Sequence, residues 1–273
     1  MISRTETAMN HAIALVFCMI ALTPIVGVVL LALRPEGSIG SAIDIGGGFH
    51  PENFVRAWTG GRFEQSMRSS VIVVFAVVPI ATFLSILAGY AFGTMRFVGD
   101  KALFFLILFG LMVPLESTIA PLYYILRRFE LTNTYWALIL PQAAGLLAFG
   151  TFWMRAYFLS TSRTIVEAAR IDGASTWQTL WYVLVPMARP AILTMVVLQF
   201  MWTWNDFMLA LVMVSSEAVR TAPLSLTFFV GRYSADFTAI AAGSIIVALP
   251  VVMAYLFLQR HFIRGVLSGA LRE

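Results

Sequence analysis

An all-α membrane protein with six transmembrane helices is the fold class that this sequence predicts, on three observations. Hydrophobic residues fill 60% of the 273 positions and charged ones only 12%, against about 25% charged in an average soluble domain. Mean hydropathy is +0.86, more than one water-soluble core of this size can hide from its own surface. Apolar runs of about 20–25 residues recur along the chain, enough to cross a hydrocarbon core of about 30 Å at 1.5 Å per helical residue. Lipid offers no partner for backbone N–H and C=O groups, so each run must satisfy them internally, as a helix does.

The spans fall at 12–33, 71–95, 102–126, 134–154, 190–214 and 238–258, in one transmembrane domain covering 1–273. The first has the position of a signal peptide. Its apolar run is longer than the usual 7–15 residues, and no small-x-small cleavage site follows Leu33, so it reads as a retained helix. An even number of spans puts both termini on one side. The side of the N terminus holds ten of the 18 cations and the other side eight, a small excess that points to cytoplasmic termini. The connection between the second and third spans is short. The segment 34–70, with Gly46-Gly47-Gly48, reads as an extracytoplasmic loop, and 155–189 as a long polar excursion on the cytoplasmic side.

Composition excludes several functions. Eighteen Lys+Arg against 14 Asp+Glu, dispersed along the chain, give no basic patch for nucleic acid. Cys18 is the single cysteine, which rules out an internal disulfide and a cysteine metal cage. His11, His50 and His261 lie at or beyond span ends, so no metal site is read. An intramembrane enzyme, the rival class, needs a nucleophile–base pair, an aspartate dyad or a metal triad at membrane depth. Asp206 is the one aspartate well inside a span, and no catalytic residue is assigned. All basic residues but Lys101 are arginine. Lys101 follows Val98-Gly99-Asp100 and precedes alanine, so the Gly-x4-Gly-Lys-Ser/Thr loop that cradles ATP phosphates is missing.

The excursion at 155–189 carries the most specific local pattern. In Thr164-Ile165-Val166-Glu167-Ala168-Ala169-Arg170-Ile171-Asp172-Gly173-Ala174-Ser175, Thr164 and Glu167 have the spacing of a capping box that opens a helix. Gly173 then ends that helix through left-handed geometry. Ser175 and Gln178 predict a second cap, and Pro186 and Pro190 punctuate the return to the membrane. The outcome is a short, stiff surface helix whose Ala168 and Ala169 allow close approach by another protein.

These residues resemble the Glu-Ala-Ala-x3-Gly-x9-Ile-x-Leu-Pro signature of permease subunits in bacterial ATP-binding-cassette importers. Glu167-Ala168-Ala169, Gly173 and Pro186 stand on its spacing, with Val183 and Val185 replacing isoleucine and leucine. Met112-Val113-Pro114-Leu115, Asn133-Thr134-Tyr135-Trp136, Ile171-Asp172-Gly173-Ala174 and Trp204-Asn205-Asp206-Phe207 are similar to the carbohydrate-uptake branch, the second permease of maltose-type systems. The resemblance covers residue 50 to the end. It implies the type I importer permease fold, an inner-membrane subunit without enzyme activity, and translocation of a sugar or sugar-derived solute by alternating access. A glycerol phosphate, a polyol or a sulfonated sugar is the alternative cargo.

The resemblance also implies partners: a second homologous permease, two ATPase subunits that carry ATP and Mg, and an extracytoplasmic solute-binding protein. No cofactor falls on this chain. Its ATPase-coupling residues would be Glu167, Ala168, Ala169, Asp172, Gly173 and Pro186, on a contact helix over 162–175. Two departures weigh on the family pattern. Ser69-Ser70 replaces a usual Asn-Ser, and Leu267-Ser268-Gly269 replaces a frequent Thr-Ala-Gly, which leaves the tail without an assigned role.

Two acids fall inside spans, where a central charge costs about 2.5–3.5 kcal/mol on insertion scales. On straight helices, Glu116 and Asp206 stand about 21 and 24 Å from the cytoplasmic ends at 1.5 Å per residue, in the outer half. Trp202, Trp204 and Asn205 surround Asp206 in sequence. Aromatic faces and acids suit sugar rings and hydroxyls, which makes this set a candidate substrate pathway. Interhelical hydrogen bonding and an outer aromatic belt explain the same residues equally well.

Overall fold

The computed structural model describes residues 4–36, 48–231 and 234–270, and among them the regular secondary structure is helical, with one isolated bridge, Val230 to Ala235. Gly46 and Gly47 of the predicted outer loop lie outside the described residues, as do the side chains of His261 and Leu267-Ser268-Gly269. Among the described residues, four helices are long and apolar enough to cross a membrane, or up to six when each of two bent pairs is taken as one span. The chain forms two compact units, 1–64 with 225–250 and 65–224 with 251–273.

In the first unit, α1 (Arg4–Ala32) leads to α2 (Glu52–Gly60). Buried Asn53 joins them, its amide donating to the carbonyls of Ala32 at 2.9 Å and Arg34 at 2.7 Å. Arg56 pairs with Glu36 and, at 3.2 Å, with Asp236. Asp236 in turn accepts from the Ala239 amide at 3.0 Å and so caps the start of α13 (Phe237–Ala270). Burial pushes the Asp236 carboxyl up, but the Ala239 amide, the Thr238 hydroxyl and Arg56 outweigh it and hold it below the usual carboxylate range.

The second unit is organised on α3 (Phe63–Thr94). Ala81, Ser85, Gly89 and Gly93 recur every fourth position and make one small-residue ridge on it. Against them lie Gly150, Met154 and Phe158 of α6 (Trp136–Ser160). A Cβ on Gly89 would stand 2.5 Å from the Met154 Cβ and 2.9 Å from the Arg155 nitrogen, so the two backbones are as close as glycine permits. Buried Gln199 ties a third helix in, accepting from the Thr82 hydroxyl at 2.8 Å.

The third predicted span is not one straight helix. It breaks at Val113–Pro114 into α4 (Asp100–Met112) and α5 (Leu115–Arg128), bent by 98°. Proline lacks the N–H that would continue α4, and extended backbone at both break residues ends the ladder. The fifth span, read as 190–214, is also corrected. Here α10 (Arg189–Trp204) stops at Asn205, and a separate short α11 (Met208–Met213) follows. A second bend, 78°, separates Thr176–Met187 from α10. Pro186 and Pro190 cannot donate to Tyr182 and Pro186, so two successive ladder bonds are missing at the bend. A wide π-helical turn, Thr179–Leu184, precedes the bend.

Candidate functional site

The helix read from the Glu-Ala-Ala pattern is α7 (Arg163–Ile171), and its C-terminal end is set by a local rule. Its C terminus is a Schellman motif. Gly173 adopts φ +83°, its amide donates to Arg170 O at 3.0 Å, and the Ala174 amide donates to Ala169 O at 2.9 Å. The second cap also forms as read. Ser175 Oγ accepts from the Gln178 amide at 3.3 Å and Gln178 Oε1 from the Ser175 amide at 2.8 Å, opening α8 (Thr176–Gln178). The first cap does not. Ser162, not Thr164, is the N-cap, and no side chain caps it. Thr164 sits inside the first turn with its hydroxyl 2.6 Å from Ser162 Oγ, so Glu167 has no capping box to close.

One side of α7 is anchored. Val166 packs on the cluster of Ile86, Tyr90, Met154, Phe158, Leu180 and Leu184, and Ala169 is buried. The other side is open: Thr164, Glu167, Ala168 and Ile171 are exposed. That is the i, i+3, i+4, i+7 stripe with which a helix enters a groove. Ile171 is 86% exposed, a large apolar side chain at the tip of this stripe. It is the residue missed by the motif, and its spacing from Glu167 and Ala168 was the available signal. Asp172 is the C-cap and exposed. Pro186 lies apart from this face, in the three-residue α9 (Val185–Met187) that ends the excursion.

The acidic candidates cluster at the two helix breaks. Asp206 follows the end of α10, and its Oδ2 accepts from the Ala210 amide at 3.3 Å, steadying the first turn of α11. Glu116 is exposed in the first turn of α5 and acts electrostatically on Asp206. The straight-helix depths do not apply, because the 98° bend intervenes before Glu116. Asn205 is exposed and donates to Met201 O at 2.8 Å. The two tryptophans part company. Trp202 is 49% exposed, with Phe149 edge-on at 4.7 Å. Trp204 is buried with Val74 and Val78, its ring stacked on Phe200 at 5.8 Å.

A clamp beside this region escaped the sequence reading. Asn133 adopts φ +60°, and its side-chain oxygen accepts from the amides of Ser215 at 2.6 Å and Ser216 at 3.0 Å. Ser69 Oγ meets Tyr135 Oη at 3.1 Å, and Ser70 Oγ accepts from the Ala222 amide at 2.9 Å, at the start of α12 (Ala222–Ser225). The Ser69-Ser70 pair, of which Ser69 departs from the family pattern, therefore holds the segment after α11. Asparagine's tolerance of left-handed backbone was the one local clue.

Fold and site together define the class: a polytopic helical membrane subunit that carries a short helix with a capped C terminus and an exposed face. Residues 81–268 match the family described as binding-protein-dependent transport system inner membrane component. The chain belongs to that family, and is the permease subunit of an ABC importer. It is 37% identical to the probable ABC transporter permease protein YurM of Bacillus subtilis, over 82% of this chain and 74% of the relative. It is 30% identical to the trehalose transport system permease protein SugB of Mycobacterium tuberculosis, over 92% and 93% of the two chains. A crystal structure of a bacterial ABC transporter involved in alginate import shares the fold, with a TM-score of 0.80 at 22% identity, covering 96% of this chain and 99% of that one.

Proposed function

We propose that this subunit translocates a sugar or sugar-derived solute, and that α7 couples it to a separate ATPase. The chain works beside a second permease, two ATPases bearing ATP and Mg, and an extracytoplasmic binding protein, with both of its own termini cytoplasmic. The observation that carries the coupling role is the open face of α7. Val166 and Ala169 anchor the helix to the bundle, while Glu167, Ala168 and Ile171 face outward. A load on that face passes through Val166 into α3 and α6 by rigid packing, since the C-terminal cap prevents the helix from unwinding. The trehalose permease relative supports a carbohydrate cargo. Glu116, Asp206, Asn205 and exposed Trp202 line the outer part of the path, acids to hydroxyls and ring to sugar face. Buried Trp204 supports that wall from behind.

The test is assembly. In the solubilised importer, Glu167→Lys with Ile171→Asp should release the ATPase subunits while the permease keeps its melting temperature. ATPases that remain bound and drive normal uptake end the coupling reading. For the cargo, the ligand that co-purifies with the binding protein decides between a sugar and a phosphorylated or sulfonated analogue.

A further inference from the structure

The turn between α3 and α4 combines two features that conflict in water. Met95, Phe97 and Val98 are exposed together, Val98 by 101%. Exposed cations flank them, Arg96 within the turn and Lys101 just after it. Gly99 reverses the chain at φ +83°, and no described residue lies within 4 Å of where a Cβ would stand. Asp100, the one acid here, is engaged at the start of α4, where its Oδ1 accepts from the Lys101 amide at 2.6 Å.

Behind the turn sits a third cation on an aromatic seat. Half-buried Arg155 donates from Nε to Phe92 O at 3.2 Å, and its guanidinium carbon lies 4.0 Å from the Phe104 ring centre. Phe92 holds the rings of Phe97 at 5.5 Å and Phe104 at 5.7 Å, which joins the seat to the turn. Among the described residues, no ion pair engages Arg96, Lys101 or Arg155. Three cations against one carboxylate leave the site positive.

Depth resolves the conflict. The apolar helix Phe63–Thr94 ends immediately before Met95, and α4 begins immediately after Gly99. The turn therefore lies where hydrocarbon gives way to headgroups, with apolar side chains reaching inward and cations at phosphate level. Its side of the membrane is that of α7, because Gly93 packs on Phe158, two residues before the end of α6.

We propose that the α3–α4 turn and Arg155 bind the headgroup phosphate of an anionic phospholipid, in the leaflet on the α7 side. Arg96 and Lys101 bracket the phosphate, Arg155 supplies fixed donors from beneath, and Val98 and Phe97 seat among the acyl chains. The site needs only that the spans lie in a bilayer, so it stands whether or not α7 docks an ATPase.

The test uses the full importer in nanodiscs of equal phosphatidylglycerol and phosphatidylcholine. Native mass spectrometry after detergent exchange counts the lipid retained per permease. The unsubstituted protein should keep phosphatidylglycerol in preference to phosphatidylcholine. Arg96→Gln with Lys101→Gln should cut that preference about tenfold, since each surface cation contributes attraction to an anionic leaflet. Val98→Asp should also cut it, and free inorganic phosphate should not displace the lipid. Both substituted cations are exposed, so the fold is not at stake. Equal retention of the two lipids by the unsubstituted protein overturns the proposal. So does a double variant that sheds an ATPase subunit and keeps its phosphatidylglycerol, because the turn is then a protein contact.

Discussion

The two ends of the larger unit use helix breaks for opposite purposes. From the C terminus of α7 onward, the interruptions are closed. Gly173 completes a Schellman motif, Ser175 and Gln178 cap each other, and the bend at Ala188 lies over buried Leu184 and Met195. At the other end the interruptions stay open. Pro114 leaves Glu116 exposed, and the break after Trp204 leaves Asn205 exposed and Asp206 half-buried. The difference teaches where motion and chemistry belong. On the proposed function, the closed, close-packed end is the one suited to transmit force, and the open end with acids the one suited to meet a solute.

The contrast breaks hardest at the α3–α6 contact. Gly89→Leu forces a side chain into Met154 and the Arg155 backbone, and should destabilise the permease by about 3 kcal/mol, the upper part of the overpacking range. Thermal melting in detergent reads that loss. Gly173→Val comes next. A β-branched residue in left-handed backbone costs about 1–2 kcal/mol locally, so the capped end of α7 should distort. Uptake should fall about tenfold or more for each 1.36 kcal/mol lost from coupling, with the bundle still folded. Normal uptake by this variant removes α7 from the coupling path.

Gln199→Leu tests the buried polar tie and should cost about 1 kcal/mol, typical of interhelical hydrogen bonds in membranes. Asp206→Asn leaves an acceptor for the Ala210 amide, so melting should hold while uptake drops severalfold. Unchanged uptake and substrate-stimulated ATPase would show the open end to be structural. The smallest effect belongs to the first unit. Asp236 has a lowered folded pKa, so its stabilisation is complete above the ordinary carboxylate value of about 3.9 and fades as pH falls through the lower folded value. Acid melting curves of Asp236→Asn should therefore be flatter below about pH 4 than those of the unsubstituted chain.

Features governed by neighbours within a few residues were legible. Gly173 and the Ser175–Gln178 box follow from φ preference and side-chain reach, and both formed where they were read, whereas the apolar runs foretold helices but not the breaks in the third and fifth. Thr164 misled because Ser162, two residues earlier, can end the preceding extended segment equally well. Proline was ambiguous for a related reason. Pro79, Pro141 and Pro250 sit inside continuous helices, while Pro114 breaks one. Neighbouring helices decide whether the freed carbonyl is re-satisfied. Trp202 and Trp204 were indistinguishable in sequence, and only packing against Val74 and Val78 separates the buried ring from the exposed one.

By itself, then, the sequence determined that the chain spans a membrane, that one capped helix interrupts the spans, and that the chain lacks an ATP-binding loop. Those are properties of composition and of contacts a few residues long. Tertiary structure alone decided the 98° break, the close approach of Gly89 to Met154, the clamp by Asn133 and the aromatic seat of Arg155. Each of these depends on which surfaces meet across long stretches of chain, and hydropathy carries no record of direction.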